Sequence, residues 1–151
     1  MTPRPRLHPR ALDGIIASSG HLNALGMRLI ALDARGATLA LAAGPAHSNA
    51  EGGVHGGVLA TLLDAACGFA ARFDGAERPI VTVLTLSLAV NFVGRAADPR
   101  LTARGRVVGG GRRIVFTSGE VVDGEGTVIA TANGTFKRLA EAGPEDRSRT
   151  E

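Results

Sequence analysis

The sequence predicts an α+β domain in which an antiparallel sheet wraps around one long central helix. Over residues 55–73 apolar side chains recur every three or four positions, which is the helical period. Apolar residues instead alternate with small or polar ones in four predicted strands downstream, over 81–93, 101–110, 112–122 and 127–139. Most connections are of hairpin length, which favours antiparallel pairing, and 151 residues suffice for one domain.

The chain ahead of the long helix is predicted to hold a short helix over 9–17 and a hairpin. Strands over 25–31 and 38–43 form the hairpin, because turn-forming residues lie between them at 33–36. A loop rich in glycine over 45–54 then leads to the long helix.

The two ends of the chain differ in composition from the rest. Residues 1–10 hold three prolines and three arginines, and residues 139–151 are mostly polar or charged. Segments of this kind are seldom fixed by packing, so we expect a flexible arm and a flexible tail. The folded domain is therefore predicted over residues 11–138.

The four later strands are predicted to follow one another as a meander. In the first of them, strict alternation places Leu84, Leu88 and Phe92 on one face. The same alternation places Thr85 on the opposite, polar face.

Composition excludes several kinds of site. The chain has no Tyr or Trp, and its single cysteine, Cys67, permits neither an internal disulfide nor a site with several cysteine ligands. The sequence contains no zinc-type ligand set, nucleotide-binding loop or DNA-binding module, and no apolar run of membrane-spanning length. We therefore expect a cytoplasmic protein that needs no metal or cofactor and binds neither nucleic acid nor membrane.

Arginine dominates the basic residues: sixteen are Arg and only Lys137 is Lys. Six arginines lie between positions 95 and 113, where Asp98 is the one acidic residue. The planar guanidinium group suits phosphate, whereas runs of charge also occur simply as solvated faces. Both interpretations stay open on the residues alone.

Asp64 stands out in the middle of the long helix, because its neighbours are apolar. A carboxylate in dry, unpaired surroundings is costly, so Asp64 must be hydrogen-bonded, paired or open to a ligand cleft.

His55, Gly56 and Gly57 begin the same helix. The first N–H groups of a helix lack internal acceptors and can hold a carbonyl oxygen or an oxyanion, and two glycines there let a ligand backbone or a thioester come close. Gly56 and Asp64 are about 12 Å apart along the axis, which is too far for both to touch one atom. Two copies related by a twofold axis, with the helix start of one facing the acid of the other, would bring them together.

The run NAEGGVHGGVLATLLDAACGFAA, from Asn49 onward, resembles the signature of hotdog-fold acyl-CoA thioesterases of the phenylacetate-degradation branch. In that signature an Asn is followed six residues later by His-Gly-Gly, and an acid lies eight residues after the first Gly. All of these positions are matched, and the resemblance extends over about residues 10–138. It implies the hotdog fold.

The resemblance also implies catalytic roles. The N–H of Gly56 would polarise the thioester carbonyl, and Asp64 of the partner subunit would act as nucleophile or as general base on water. Asn49 and His55 would orient the carbonyl or the helix start. Thr85 matches a position at which family members often place a Ser or Thr near the acid, and an ordinary β-strand role is the alternative.

Coenzyme A gives the basic residues a possible ligand. By position in the family, Arg112, Arg113 and Lys137 would bind its phosphates, with plain solvation as the alternative. We expect a homo-oligomer, namely a dimer with shared active sites that pairs into a tetramer.

The sequence therefore predicts a thioesterase that hydrolyses acyl-CoA to a carboxylic acid and CoA. One alternative is a hotdog hydratase or dehydratase, whose spacing of Asp and His is not found here. The other is a non-catalytic protein of this fold that binds acyl-CoA. The acyl group stays open between aryl, hydroxyaryl and aliphatic chains.

Overall fold

The computed structural model describes residues 9–73 and 81–139. The helices are α1 (Pro9–Ala17), α2 (Gly20–Ala24) and α3 (Gly56–Arg72). The strands are β1 (Arg28–Asp33), β2 (Gly36–Ala42), β3 (Val83–Phe92), β4 (Arg100–Gly110), β5 (Ile114–Val122) and β6 (Val128–Arg138). The predicted arm and tail lie almost wholly outside the described residues, although Pro9 and Arg10 already belong to α1.

One six-stranded sheet packs against α3 and confirms the α+β class. Its order is β1-β2-β4-β5-β6-β3, and all neighbouring strands are antiparallel. The predicted four-strand meander is wrong, because β3 pairs with β6 rather than with β4 and only β4, β5 and β6 form the meander. Alternation identifies a strand but not its partner, so the crossover from β3 to β4 leaves no trace in the pattern.

A bulge in β3 also overturns the predicted faces of that strand. Thr85 lies opposite Phe136 and Ser87 lies opposite Thr135, so Leu86 is the extra residue. An extra residue reverses the alternation on its two sides. Thr85 therefore lies on the helix-facing side with Leu88, and not on the opposite face as strict alternation predicts.

Glycines bring α3 close to the sheet. Gly105 of β4 and Gly119 of β5 are paired directly across the two strands. A Cβ at Gly105 would lie 2.6 Å from the backbone nitrogen of Cys67 and would overlap the carbonyl of Ala66. A Cβ at Gly119 would lie 2.8 Å from the Cys67 sulfur. Part of the glycine abundance thus has a packing cause, since the helix rests on bare backbone.

The connections around the first hairpin contain details that the pattern did not predict. The short helix α2 was missed, because five residues are too few to show a helical period. His47, in the loop before α3, accepts the N–H of Gly44 at Nδ1 (2.9 Å) and donates from Nε2 to the carbonyl of Leu25 (2.8 Å). This histidine therefore ties the loop to the hairpin.

Candidate active site

Asp64 lies on the side of α3 that faces away from the buried core. The side of α3 against the sheet carries Leu62, Leu63 and Ala66, all fully buried. Asp64 is only half-buried, and its Oδ1 accepts a 2.9 Å hydrogen bond from the hydroxyl of Thr85. The acid is thus both bonded and open to a cleft, and the structure brings together two of the predicted site residues.

A groove of about 550 Å³ runs along this side of α3, and we call it the Asp64 groove. Its floor is the stripe of α3 residues that includes Thr61, Asp64 and Gly68. One wall comes from β3 and β6, with Leu88 and Phe136, and the other from the α1–α2 segment. An acid with a bonded partner inside a groove of this size is a common arrangement for a ligand site.

The start of α3 leaves one backbone donor available. Nδ1 of His55, the residue before the helix, accepts the N–H of Gly57 at 2.8 Å. A Cβ at Gly57 would lie 2.9 Å from that same nitrogen, so a side chain there would displace the His55 ring from its capping position. For the N–H of Gly56, in contrast, the described residues provide no hydrogen-bond acceptor. Gly56 is therefore the member of the glycine pair with a free donor.

Asn49 organises the loop in front of this helix start. Its Oδ1 accepts the N–H groups of Glu51 (3.1 Å) and Gly53 (2.8 Å). Asn49 and Gly56 line a second cleft of about 330 Å³ together with Phe92 and Arg95, which we call the Gly56 cleft. The side-chain amide of Asn49 and the free N–H thus share one cavity.

The two halves of the predicted site do not meet within one chain. Asp64 and Thr85 line the Asp64 groove, whereas Gly56 and Asn49 line the Gly56 cleft. This separation agrees with the axial distance of about 12 Å expected for eight helical residues.

Strand β3 forms one edge of the sheet and is unusually apolar for an exposed edge. Leu84, Leu86 and Phe92 are 50%, 54% and 57% exposed, and Val93, just beyond the strand, is 59% exposed. Long apolar edges of this kind favour pairing with another strand. Because Thr85 and Phe92 belong to β3, the same edge borders both the Asp64 groove and the Gly56 cleft.

The arginines of the sequence have different surroundings. Arg100 pairs with Asp98 at 2.6 Å and Arg104 with Glu120 at 3.5 Å. Both arginines are exposed, so these two fit the solvated interpretation. Arg112, Arg113 and Lys137 have no ion-pair partner in the described part of the chain.

The end of α3 lies beside Arg113 and Arg138. Arg138 donates from its guanidinium to the carbonyls of Ala71 (2.7 Å) and Phe73 (3.0 Å). Its backbone N–H bonds to the carbonyl of Arg113 at 2.7 Å. Arg113 is therefore held close to the C-terminal end of the helix, and Arg138 acts as a cap. Lys137, in contrast, is paired with the exposed residues Leu84 and Ile114, on the side of the sheet that faces away from α3.

Other chemistries find little support in the described ranges, 9–73 and 81–139. Burial raises the pKa of the Cys67 thiol, which opposes a role as nucleophile. No group of three or more metal-ligating side chains occurs among these residues. None of the helices they form is both long and apolar enough to span a membrane.

Comparisons with known proteins agree on one family. The profile of the thioesterase superfamily matches residues 51–130. A "Putative esterase" of Pseudomonas aeruginosa is 33% identical over 130 residues, which cover 85% of this chain and 95% of that protein. Another protein of the same description, from Halobacterium salinarum, is 34% identical over 96 residues, which cover 60% of this chain. The match spans 64% of that relative, just under two thirds of its length.

Solved structures show the same architecture. A thioesterase family protein from Silicibacter pomeroyi has a TM-score of 0.75 and 28% identity, over 86% of this chain and 96% of that one. The PaaI protein of the phenylacetic acid degradation operon of E. coli has a TM-score of 0.74 at 22% identity, over 85% and 90%, and supports the fold alone. The BH2602 protein from Bacillus halodurans, solved with CoA, has a TM-score of 0.62 and 28% identity, over 68% and 66%.

Proposed function

Because this chain belongs to the thioesterase superfamily and has its hotdog fold, we propose that it is an acyl-CoA thioesterase whose active site is shared between two copies. The observation that carries the proposal is the Asp64 carboxylate, held by the Thr85 hydroxyl at 2.9 Å inside a groove large enough for an acyl chain. The free N–H of Gly56 supplies the complementary group, a donor for the carbonyl oxygen.

Hydrolysis needs a nucleophile at the carbonyl carbon and a donor at its oxygen. In the general-base route Asp64 takes a proton from water, the hydroxide adds to the carbonyl, and the Gly56 N–H holds the resulting oxyanion. Collapse breaks the C–S bond, and Asp64 returns the proton to the CoA thiolate. In the nucleophile route Asp64 itself adds to the carbonyl carbon, and the C–S bond breaks to give an anhydride and the CoA thiolate. Water then opens the anhydride, which frees the carboxylic acid and Asp64, and the proton released goes to the thiolate. Both routes need the acid and the donor on the same carbonyl.

Pairing of two β3 strands would supply that arrangement. An antiparallel pair centred between Leu88 and Ala89 would place Thr85 of one copy opposite Phe92 of the other. In each copy the Phe92 ring lies 3.4 Å from where a Cβ of Gly56 would be. Such a pair would therefore carry each Gly56 toward the Asp64 of the other copy and join the two cavities. The exposed apolar edge of β3 supports this dimer, which can pair further into a tetramer.

The cations beside the end of α3 suit the phosphates of CoA. Arg112, Arg113 and Lys137 have no described ion-pair partner, and the carbonyl of Arg113 bonds to Arg138, the cap at the end of the helix that forms the groove floor. A fork-shaped guanidinium binds a phosphate with two hydrogen bonds. The relative from Bacillus halodurans was solved with CoA, which supports CoA as the ligand.

The decisive experiment removes one group from each half of the site. Gly56→Pro deletes the free N–H while keeping a residue that suits the first position of a helix, and Gly56→Ala is the matched control. We expect Gly56→Pro and Asp64→Asn each to release thiol from acyl-CoA at least about a hundredfold more slowly than the parent. Gly56→Ala should keep most of the activity.

Mixing the two inactive variants tests the shared site. Random exchange of subunits makes half of the dimers mixed, and each mixed dimer has one intact site, so about one quarter of the parent activity should return. If both variants are inactive and the mixture stays inactive after exchange is shown by mass, the site is not shared. If the parent binds CoA thioesters but releases no thiol, the chain is a non-catalytic binder.

A further inference from the structure

The Asp64 groove has a polar wall that the proposed chemistry does not use. Ser18, Ser19 and His21, from the end of α1 and the start of α2, all line it. From the sequence alone His21 is interpreted as a loop or surface histidine, and nothing in the pattern links it to Asp64, 43 positions later. The structure places its ring in the same cavity as Asp64.

His21 and Thr61 form a hydrogen-bonding pair beside the acid. Nε2 of His21 lies 3.5 Å from the hydroxyl oxygen of Thr61, at the outer limit of a hydrogen bond. Thr61 donates its own proton to the carbonyl of Gly57 at 2.9 Å, so it offers only lone pairs to the groove. Since the contact is long and the His21 ring is exposed, a ligand oxygen can take over this donor. Thr61 precedes Asp64 by about one helical turn.

The two directions along the groove differ in what they contain. From Asp64 toward the end of α3 the floor is Gly68, Phe69 and Arg72, and this direction leads to the cations beside Arg138. From Asp64 toward the start of α3 the floor is Thr61, and the wall is His21 and Leu22. If the nucleotide of CoA lies at the cations, the pantetheine arm occupies the first direction, and the acyl group is left with the second.

We propose that His21 is a specificity-determining residue that donates a hydrogen bond to an oxygen atom carried by the acyl group. The proposal rests on the proposed thioesterase function and on the placement of CoA at the cationic end. It assigns as substrates acyl groups with a hydroxyl or oxo oxygen about 5 Å from the thioester carbon, the rise of roughly one helical turn. Leu22 and the methyl group of Thr61 contact the carbon chain in between.

A matched pair of thioesters measures this preference. The parent should hydrolyse 5-oxohexanoyl-CoA about tenfold better than hexanoyl-CoA in kcat/KM, the effect of one additional hydrogen bond. His21→Phe keeps a planar ring but has no donor, and should reduce that ratio to about one, mainly by slowing the oxo substrate. His21→Gln keeps an N–H donor and should preserve a ratio above one. Asn23→Ala, at an exposed position of the same short helix, should keep the parent ratio.

Two results would overturn the proposal. One is a parent with no preference for the oxo substrate. The other is a His21→Phe variant in which both thioesters slow equally, because His21 would then contact the pantetheine arm or support the fold. Dissociation constants of the two non-hydrolysable thioether analogues, measured for the parent and His21→Phe, give the same ratio without catalysis. A shift in the binding ratio with no turnover by the parent would refute the thioesterase function and leave the role of His21 standing.

Discussion

Replacing Gly105 by alanine tests whether the bare backbone of the sheet sets the position of α3. The added methyl group would overlap the carbonyl of Ala66 and lie 2.6 Å from the nitrogen of Cys67. The atoms that the methyl group would meet all belong to the backbone of α3. No side-chain rotation can therefore relieve the overlap, and the helix must move. Overpacking of a core typically costs 1–3 kcal/mol, and a rigid site belongs at the upper end, about 3 kcal/mol.

A loss of about 3 kcal/mol should lower Tm by roughly 6–12 °C in a chain of this length. Differential scanning calorimetry measures this change in Tm. The protein concentration is held fixed, because the Tm of the proposed dimer would depend on concentration. Gly109→Ala is the matched control, because it lies on the same strand and its Cβ would meet only the Phe116 ring, at 3.9 Å. If Gly105→Ala melts within about 2 °C of that control, the close approach does not set the helix position, and the reasoning fails.

Three more expectations follow from contacts around the site and the core. Thr85→Val should lower kcat about tenfold with little change in KM, because the hydrogen bond that holds Asp64 is lost. Thr85→Ser keeps the hydroxyl and should keep the kcat of the parent. Equal kcat values in the parent and both variants would exclude a positioning role for Thr85. Hydrogen bonds from backbone N–H groups, that of Ala97 foremost, lower the pKa of Asp123. The ionised carboxylate therefore stabilises the fold above the unfolded pKa of about 4, and this contribution disappears as the pH falls through the lower folded pKa. The Tm difference between the parent and Asp123→Asn should be large at about pH 7 and shrink below about pH 4, and a constant difference would contradict this. Cys67 should react with a thiol reagent far more slowly in the native protein than in denaturant, since burial raises its pKa, and rapid native labelling would show that α3 opens.

Local patterns predicted the helix and the strands well, because burial on one face leaves a period in the sequence. The helix predicted over 55–73 agrees closely with α3, and the last strand, predicted over 127–139, agrees with β6. The period cannot show which strands are neighbours. The predicted meander therefore places β3 beside β4, whereas in the structure β3 pairs with β6. Pairing is decided by the packing of whole elements, and a strand with alternating residues fits beside β4 or β6 equally well.

The candidate site was predictable where its residues are close in the chain. Gly56 and Asp64 belong to one helix and His55 directly precedes it, so the spacing of these residues alone separates the donor from the acid. The resemblance to the family identifies Thr85, but strict alternation places it on the face of β3 that points away from α3. The bulge reverses that face, and a bulge is a local irregularity that alternation cannot indicate. His21 was missed for a different reason, since its place in the groove depends on how α2 packs over α3.

The bulge at Leu86 links the chemistry to the proposed assembly. With strict alternation, Thr85 would turn away from α3 and Asp64 would lose its hydrogen-bond partner. The extra residue turns Thr85 inward and leaves Leu86 itself 54% exposed at the free edge of the sheet. One irregularity therefore holds the acid in place and adds apolar surface to the edge that a second copy would cover.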